Sequence, residues 1–159
     1  MIDLGTFLDS GTVQLNVVLP ATAERVWQFL TTPEGLRTWL AEGSIDPQRA
    51  HLQFGDTGDV IDAPVLRWEP PFVLEFEWVG GSSQASGSYV RFELVSDGDV
   101  TTLTLTHTKA AGDASGEFAA GWHRHLDLLD ARVRGEDPAP NRPTYDALLE
   151  RYAGRRSDA

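Results

Sequence analysis

Three of the four histidines stand where an imidazole could do chemistry. His107 is the one titratable side chain on an otherwise apolar strand face, with Leu103 and Leu105 beside it and Thr102, Thr104 and Thr106 on the other face. So placed, it can be a core histidine satisfied by hydrogen bonds, a polar handle that orients a ligand, or a weak general base near neutral pH. His123 and His125 suggest a metal pair, but residues two apart on a helix diverge by about 200°. They cannot grip one ion together, and no carboxylate cluster completes a ligand set, so neither a metal nor a cofactor is expected. His125 alone could reach the rim of a cavity. Ser82, Ser83, Ser86 and Ser88 cluster in a Gly/Ser-rich stretch that would hold no nucleophile rigidly. No glycine-rich phosphate loop, nucleophile elbow or metalloprotease helix is present. Asp97, Asp99 and Asp113 read as turn and linker residues, and Glu75 and Glu77 face away from any interior. No carboxylate is evidently trapped in apolar surroundings, so no catalytic residue is expected.

The elements that must position these residues follow from period. Leu4 to Leu8 reads as a short strand, and Val13, Leu15, Val17 and Leu19 alternate with Gln14, Asn16 and Val18 as a half-buried one that stops at Pro20. Thr22 can cap a helix whose Ala23, Val26, Trp27 and Leu30 form one stripe. Thr32 caps a second helix with Pro33 at its first position, buries Leu36, Trp39 and Leu40, and is expected to stop at Gly43. Helical period then disappears as far as Thr108. Leu52 and Phe54, Val60, Val65 to Trp68, the run Leu74, Phe76 and Trp78, and the run Val90, Phe92 and Leu94 read as successive strands. Glu69-Pro70-Pro71 breaks the chain, Gly80 to Ser88 reads as a loop, and Asp97-Gly98-Asp99 as a hairpin turn. From about Ser115 to Arg134, Phe118, Trp122, Leu126, Leu129 and Val133 recur at helical spacing until Gly135. Beyond a stiff Pro-rich linker, a short helix carries Tyr145, Leu148, Leu149 and Tyr152 on one side. That face must pack on its own domain or on a second copy, forming a homodimer.

Composition narrows the partners. The 159 residues suit one domain with a sizeable core. Thirteen Lys and Arg, with Lys109 the one lysine, stand against twenty-four Asp and Glu, a net charge of −11. So acidic a surface repels phosphate backbones, so nucleic acid is not an expected partner. There is no cysteine, and neither a signal peptide nor a run of the roughly 20 apolar residues that a membrane span needs is seen. A cytoplasmic location is expected.

Four passages in this order, ERVWQFLTTPEGLRTWL, VLRWEPPFVLEFEW, TTLTLTHT and GWHRHLDLLDARV, carry a family likeness. The chain resembles the helix-grip (START-like, SRPBCC) superfamily, and within it the bacterial proteins similar to the C-terminal domain of the activator of Hsp90 ATPase. The resemblance implies an α+β fold, a curved antiparallel sheet wrapped around a long C-terminal helix, with two short helices after the first strand. The likeness covers most of Val13 to Val133, and the domain is expected to span residues 1–135, with 136–159 as linker and short helix. It also implies an apolar cavity between sheet and helix, where Trp78, Phe76, Phe92, Leu105, His107, Trp122, His125 and Leu126 would meet a ligand. Three roles are open: a non-catalytic binder of a small hydrophobic or amphipathic molecule, a co-chaperone or other protein-interaction module, and a cyclase- or hydratase-type enzyme.

Overall fold

The computed structural model describes residues 2–9, 11–55, 57–78, 88–109 and 116–158, with side chains as far as 155. Most of the Gly/Ser-rich stretch, with Ser82, Ser83 and Ser86, lies outside the described residues, as do Asp56, Asp113 and Ser115. Among the described residues eight strands form one antiparallel sheet, β1 (Thr6–Asp9), β2 (Thr12–Leu19), β3 (Glu42–Ile45), β4 (Arg49–Gln53), β5 (Val60–Glu69), β6 (Val73–Glu77), β7 (Tyr89–Asp97) and β8 (Val100–Thr108). Their spatial order is β1-β2-β8-β7-β6-β5-β4-β3. Helices α1 (Ala23–Thr31) and α2 (Pro33–Leu36) follow β2, while α3 (Gly116–Val133) and α4 (Tyr145–Asp158) close the chain. The sheet curves around α3, an α+β helix-grip fold.

Alternation produces this sheet. On β2, Val13, Leu15, Val17 and Leu19 are buried, and on β8 so are Leu103, Leu105 and His107. Register sets Leu15 opposite Leu105 and Phe92 beside Leu105, so the inward residues of β2, β8 and β7 meet on one face. Gly98, at a φ of 61°, makes the two-residue turn into β8. The outer face is not wholly wet. Glu75, expected to be solvated, is buried beside Arg91, its partner in register on β7, and the two form an ion pair. A carboxylate so placed is covered by the guanidinium and its stem rather than by water.

Both short helices start as expected. Thr22 Oγ1 accepts from Arg25 N (3.2 Å) and Thr32 Oγ1 from Gly35 N (3.1 Å). The second helix is shorter than its apolar spacing suggests. It ends at Leu36, whose carbonyl takes both Leu40 N and Ala41 N, and the Trp39 indole donates back to Phe29 O (2.8 Å). Trp39 thus sits in the turn after α2, 2% exposed. Gly43 is no helix stop. It lies inside β3 at a φ of 140°, where a β-carbon would stand 1.9 Å from His51 O. Close approach of β4 therefore requires glycine there.

Helix α3 is buried on more than the one stripe its large apolar residues mark. Trp122, Leu126, Leu129 and Val133 face the sheet, while Ala120, His123, Asp127 and Ala131 are also buried. Helix α4 packs on α3 and contacts β1, burying Leu148 and Tyr152 completely, while Tyr145 is exposed. The chain thus covers the Leu148 and Tyr152 side of its tail helix by itself.

Candidate functional site

A cavity of about 130 Å³ opens between the concave sheet and the first half of α3. Leu40 from the turn after α2, Phe54 after β4 and Trp78 after β6 form one side of it. From α3, Glu117, Phe118, Gly121, Trp122 and His125 form the other. Spacings of three and four along a helix bring Phe118, Gly121, Trp122 and His125 to one surface. Gly121 leaves room because it has no side chain, and no atom lies within 4 Å of where its β-carbon would be.

Aromatic edges build the wall. The Trp78 and Trp122 rings meet edge to face at 5.1 Å, Phe54 packs on Trp78 at 5.8 Å, and Trp122 lies 6.2 Å from His125. Such contacts hold the rings in defined orientations beyond what burial alone does. His125 Nδ1 lies 2.9 Å from Trp39 O. A carbonyl only accepts, so that nitrogen carries a proton and ties α3 to the turn after α2.

His107 stands behind this wall. The Trp122 indole Nε1 donates to His107 Nδ1 at 2.8 Å, both groups buried. Indole N–H is a donor only, so Nδ1 must be the accepting nitrogen and the neutral ring carries its proton on Nε2. Among the described residues Nε2 has no partner. Burial, helped by the nearby Lys109 charge, pushes the imidazole down to about 4. It is therefore neutral at physiological pH, with one nitrogen engaged and the other protonated. That state is a fixed hydrogen-bond donor and leaves no nitrogen free to act as a general base.

Of the eight residues expected at a ligand, Trp78, Trp122 and His125 line the cavity. Phe76, Phe92, Leu105 and Leu126 lie deeper, at most 1% exposed, and serve as the packed layer on which the wall rests. Phe92 supports Trp122 at 6.0 Å, and Phe76 supports Trp78 at 6.1 Å. Leu40, Phe54, Glu117, Phe118 and Gly121 also line the cavity, beyond the residues expected there. Phe118 was legible on the α3 stripe, one turn before Trp122, and that spacing was the available signal.

A buried polar cluster lies on the other side of α3. Tyr152 Oη accepts from Gly5 N (2.8 Å) and lies 2.9 Å from His123 Nδ1. His123 Nε2 lies 3.6 Å from Asp127 Oδ2, and Asp127 Oδ1 accepts from Ile2 N (2.9 Å). Burial lowers His123 against the opposing Asp127 charge, and burial pushes Tyr152 up to about 12. None of the three lines the apolar cavity; they join the N-terminal segment, α3 and α4. Tyr152→Phe is expected to cost about 1–3 kcal/mol, because Gly5 N–H and His123 each lose a buried partner. Urea denaturation at constant slope reads this directly, and a loss below about 0.5 kcal/mol would mean that the hydroxyl holds nothing. No group of three or more metal-ligating side chains occurs among the described residues.

A curved sheet gripping a long helix, two short helices after β2 and an aromatic cavity between sheet and α3 define a helix-grip protein of the START-like superfamily. The family described as Activator of Hsp90 ATPase homolog 1-like protein matches residues 20–134, and the chain belongs to that family. Among solved structures it is similar to the protein encoded by gene BPP1335 from Bordetella parapertussis. That likeness has 32% identity over 97% of this chain and 91% of that one, with a TM-score of 0.74. It is also similar to CalU16 from Micromonospora echinospora, with 26% identity over 91% and 87% of the two chains and a TM-score of 0.70. The Aha1 dimer from Colwellia psychrerythraea shares the fold at 18% identity over 77% of this chain and 95% of that one, with a TM-score of 0.63. No curated protein matches the chain. No helix among the described residues is long and apolar enough to cross a membrane.

Proposed function

We propose that this chain is a non-catalytic binding protein that holds a small hydrophobic or amphipathic molecule between its sheet and α3. The observation that carries this reading is the cavity walled by Phe54, Trp78, Phe118 and Trp122. Its volume of about 130 Å³ suits one ring or a short chain; apolar cavities of about 150 Å³ take up benzene. The aromatic walls match the composition of small-molecule sites, and His125 adds a polar group of the kind that such sites use for orientation. Native mass spectrometry of gently purified protein, with a denatured control, tests it. Extra mass that disappears on denaturation is the expected result. A clean unliganded mass, together with no thermal shift from any single-ring compound, would overturn it.

A second reading, a co-chaperone or other protein-interaction role, is favoured by the family description and by the net charge of −11, which suits a basic partner surface. Its test is the ATPase rate of the host's Hsp90-type chaperone with saturating protein, where no change would remove the role. The native spectrum also reads the oligomer, and a doubled mass would add a second copy of the chain as a partner.

A further inference from the structure

The tautomer of His107 bears on what the bound molecule carries, given the binding role proposed above. We infer that the cavity's occupant is an uncharged single-ring compound with a hydrogen-bond acceptor such as a carbonyl oxygen, and that His107 Nε2–H is the donor it meets.

Among the described residues, the indole and imidazole N–H groups of Trp122 and His125 at the cavity wall are already engaged, and that of His107 behind it is not. The Trp122 indole N–H is held by His107 Nδ1, and His125 Nδ1–H by Trp39 O. His107 Nε2–H, on a residue 1% exposed, has no partner among the described residues. A buried donor left unmade is costly, and buried polar groups in folded proteins are almost always paired. The orphan therefore asks for an acceptor.

Its location assigns that acceptor to the cavity's occupant. The His107 ring packs against Phe118 at 4.5 Å, Trp78 at 5.6 Å and Trp122 at 6.1 Å, and all three of these side chains face the cavity. His107 stands one layer behind them. Trp78 and Trp122 are 9% and 4% exposed, while Phe118 is half-buried, so Phe118 is the least enclosed of the three plates. For Nε2–H to meet a ligand, Phe118 must be displaced. The acceptor is neutral because the imidazole is neutral and the rings around it are carbon-surfaced, while Glu117 in the wall and the Lys109 ammonium 6.0 Å over Phe118 oppose one another in charge.

Isothermal titration of the full chain with toluene, acetophenone and benzoate tests the inference. Acetophenone is expected to bind about five- to tenfold more tightly than toluene, the worth of one neutral hydrogen bond. That preference should vanish in His107→Phe and persist in part in His107→Gln, which keeps a donor. Equal affinities for toluene and acetophenone in the unmutated chain would overturn the inference while leaving the binding role standing. A preference that survives His107→Phe would do the same, as would benzoate binding most tightly. Failure of all three compounds to bind would overturn this inference, and joined to a clean unliganded native mass it would overturn the binding role as well. Should His107→Phe fail to fold, the imidazole nitrogen spectrum of the unmutated protein decides. Acetophenone should shift the His107 Nε2–H resonance and toluene should not; no difference between them would overturn the assignment.

Discussion

Trp122→Ala is expected to destabilise the protein by about 3–5 kcal/mol, the usual cost of truncating a buried tryptophan. For a chain of this length that corresponds to a fall in melting temperature of roughly 6–20 °C. The residue is 4% exposed and braces Trp78 at 5.1 Å, Phe92 at 6.0 Å, His107 at 6.1 Å and His125 at 6.2 Å, so its loss leaves four neighbours without a packed face. It also leaves His107 Nδ1 without its donor, so both imidazole nitrogens become buried and unpaired. Trp122→Phe separates the two effects. Most of the ring contact survives and the indole N–H does not, so a loss of about 1–3 kcal/mol is expected from the hydrogen bond alone. Calorimetric unfolding of the two variants measures the difference. If Trp122→Ala unfolded within about 1 kcal/mol of the parent chain, the wall would not depend on this ring, and the site as described would be wrong.

What sequence made legible here was whatever repeats with a period. Val90, Phe92 and Leu94, and Leu103, Leu105 and His107, alternate cleanly because β7 and β8 lie mid-sheet with one face on the core. Trp122 was legible as facing that sheet because its helical stripe is long. Strand β3 was not, since its four residues carry one buried apolar side chain, and its glycine is demanded by the approach of β4, a tertiary fact. Strand β5 reads as two pieces because Pro64 interrupts it. The strand tolerates that proline where it leaves β4 and joins β6: the β4 register ends at Pro64 and the β6 register begins at Val65. The second buried face of α3 was invisible for a similar reason. Asp127 and His123 look like a wet side until α4 and the N-terminal segment fold over them. Local pattern records what an element does by itself, and both cover and close approach are set by distant chain.

Acid should weaken this fold in part through one imidazole. Burial holds His107 down to about 4, against 6.5 for the free side chain. The unfolded chain therefore takes up this proton first as pH falls, and the contribution of neutral, buried His107 is fully present only above about 6.5. It is lost progressively between pH 6.5 and 4, and below that both states are protonated and nothing further changes. Each unit of difference is worth about 1.4 kcal/mol, so the window amounts to about 3 kcal/mol. His123, lowered by burial against the pull of Asp127, acts in the same direction. Urea midpoints at pH 7 and pH 4 for the parent chain and His107→Phe isolate the term, because the carboxylates and His123 titrate in both. The variant is expected to lose less stability across the interval, by about 3 kcal/mol. Parallel losses would mean that His107 charges as readily in the folded protein as outside it, and that its ring is not enclosed by Trp78, Phe118 and Trp122 in solution. The same result would remove the neutral donor on which the acceptor specificity rests, since an imidazolium would meet a carboxylate better than a ketone.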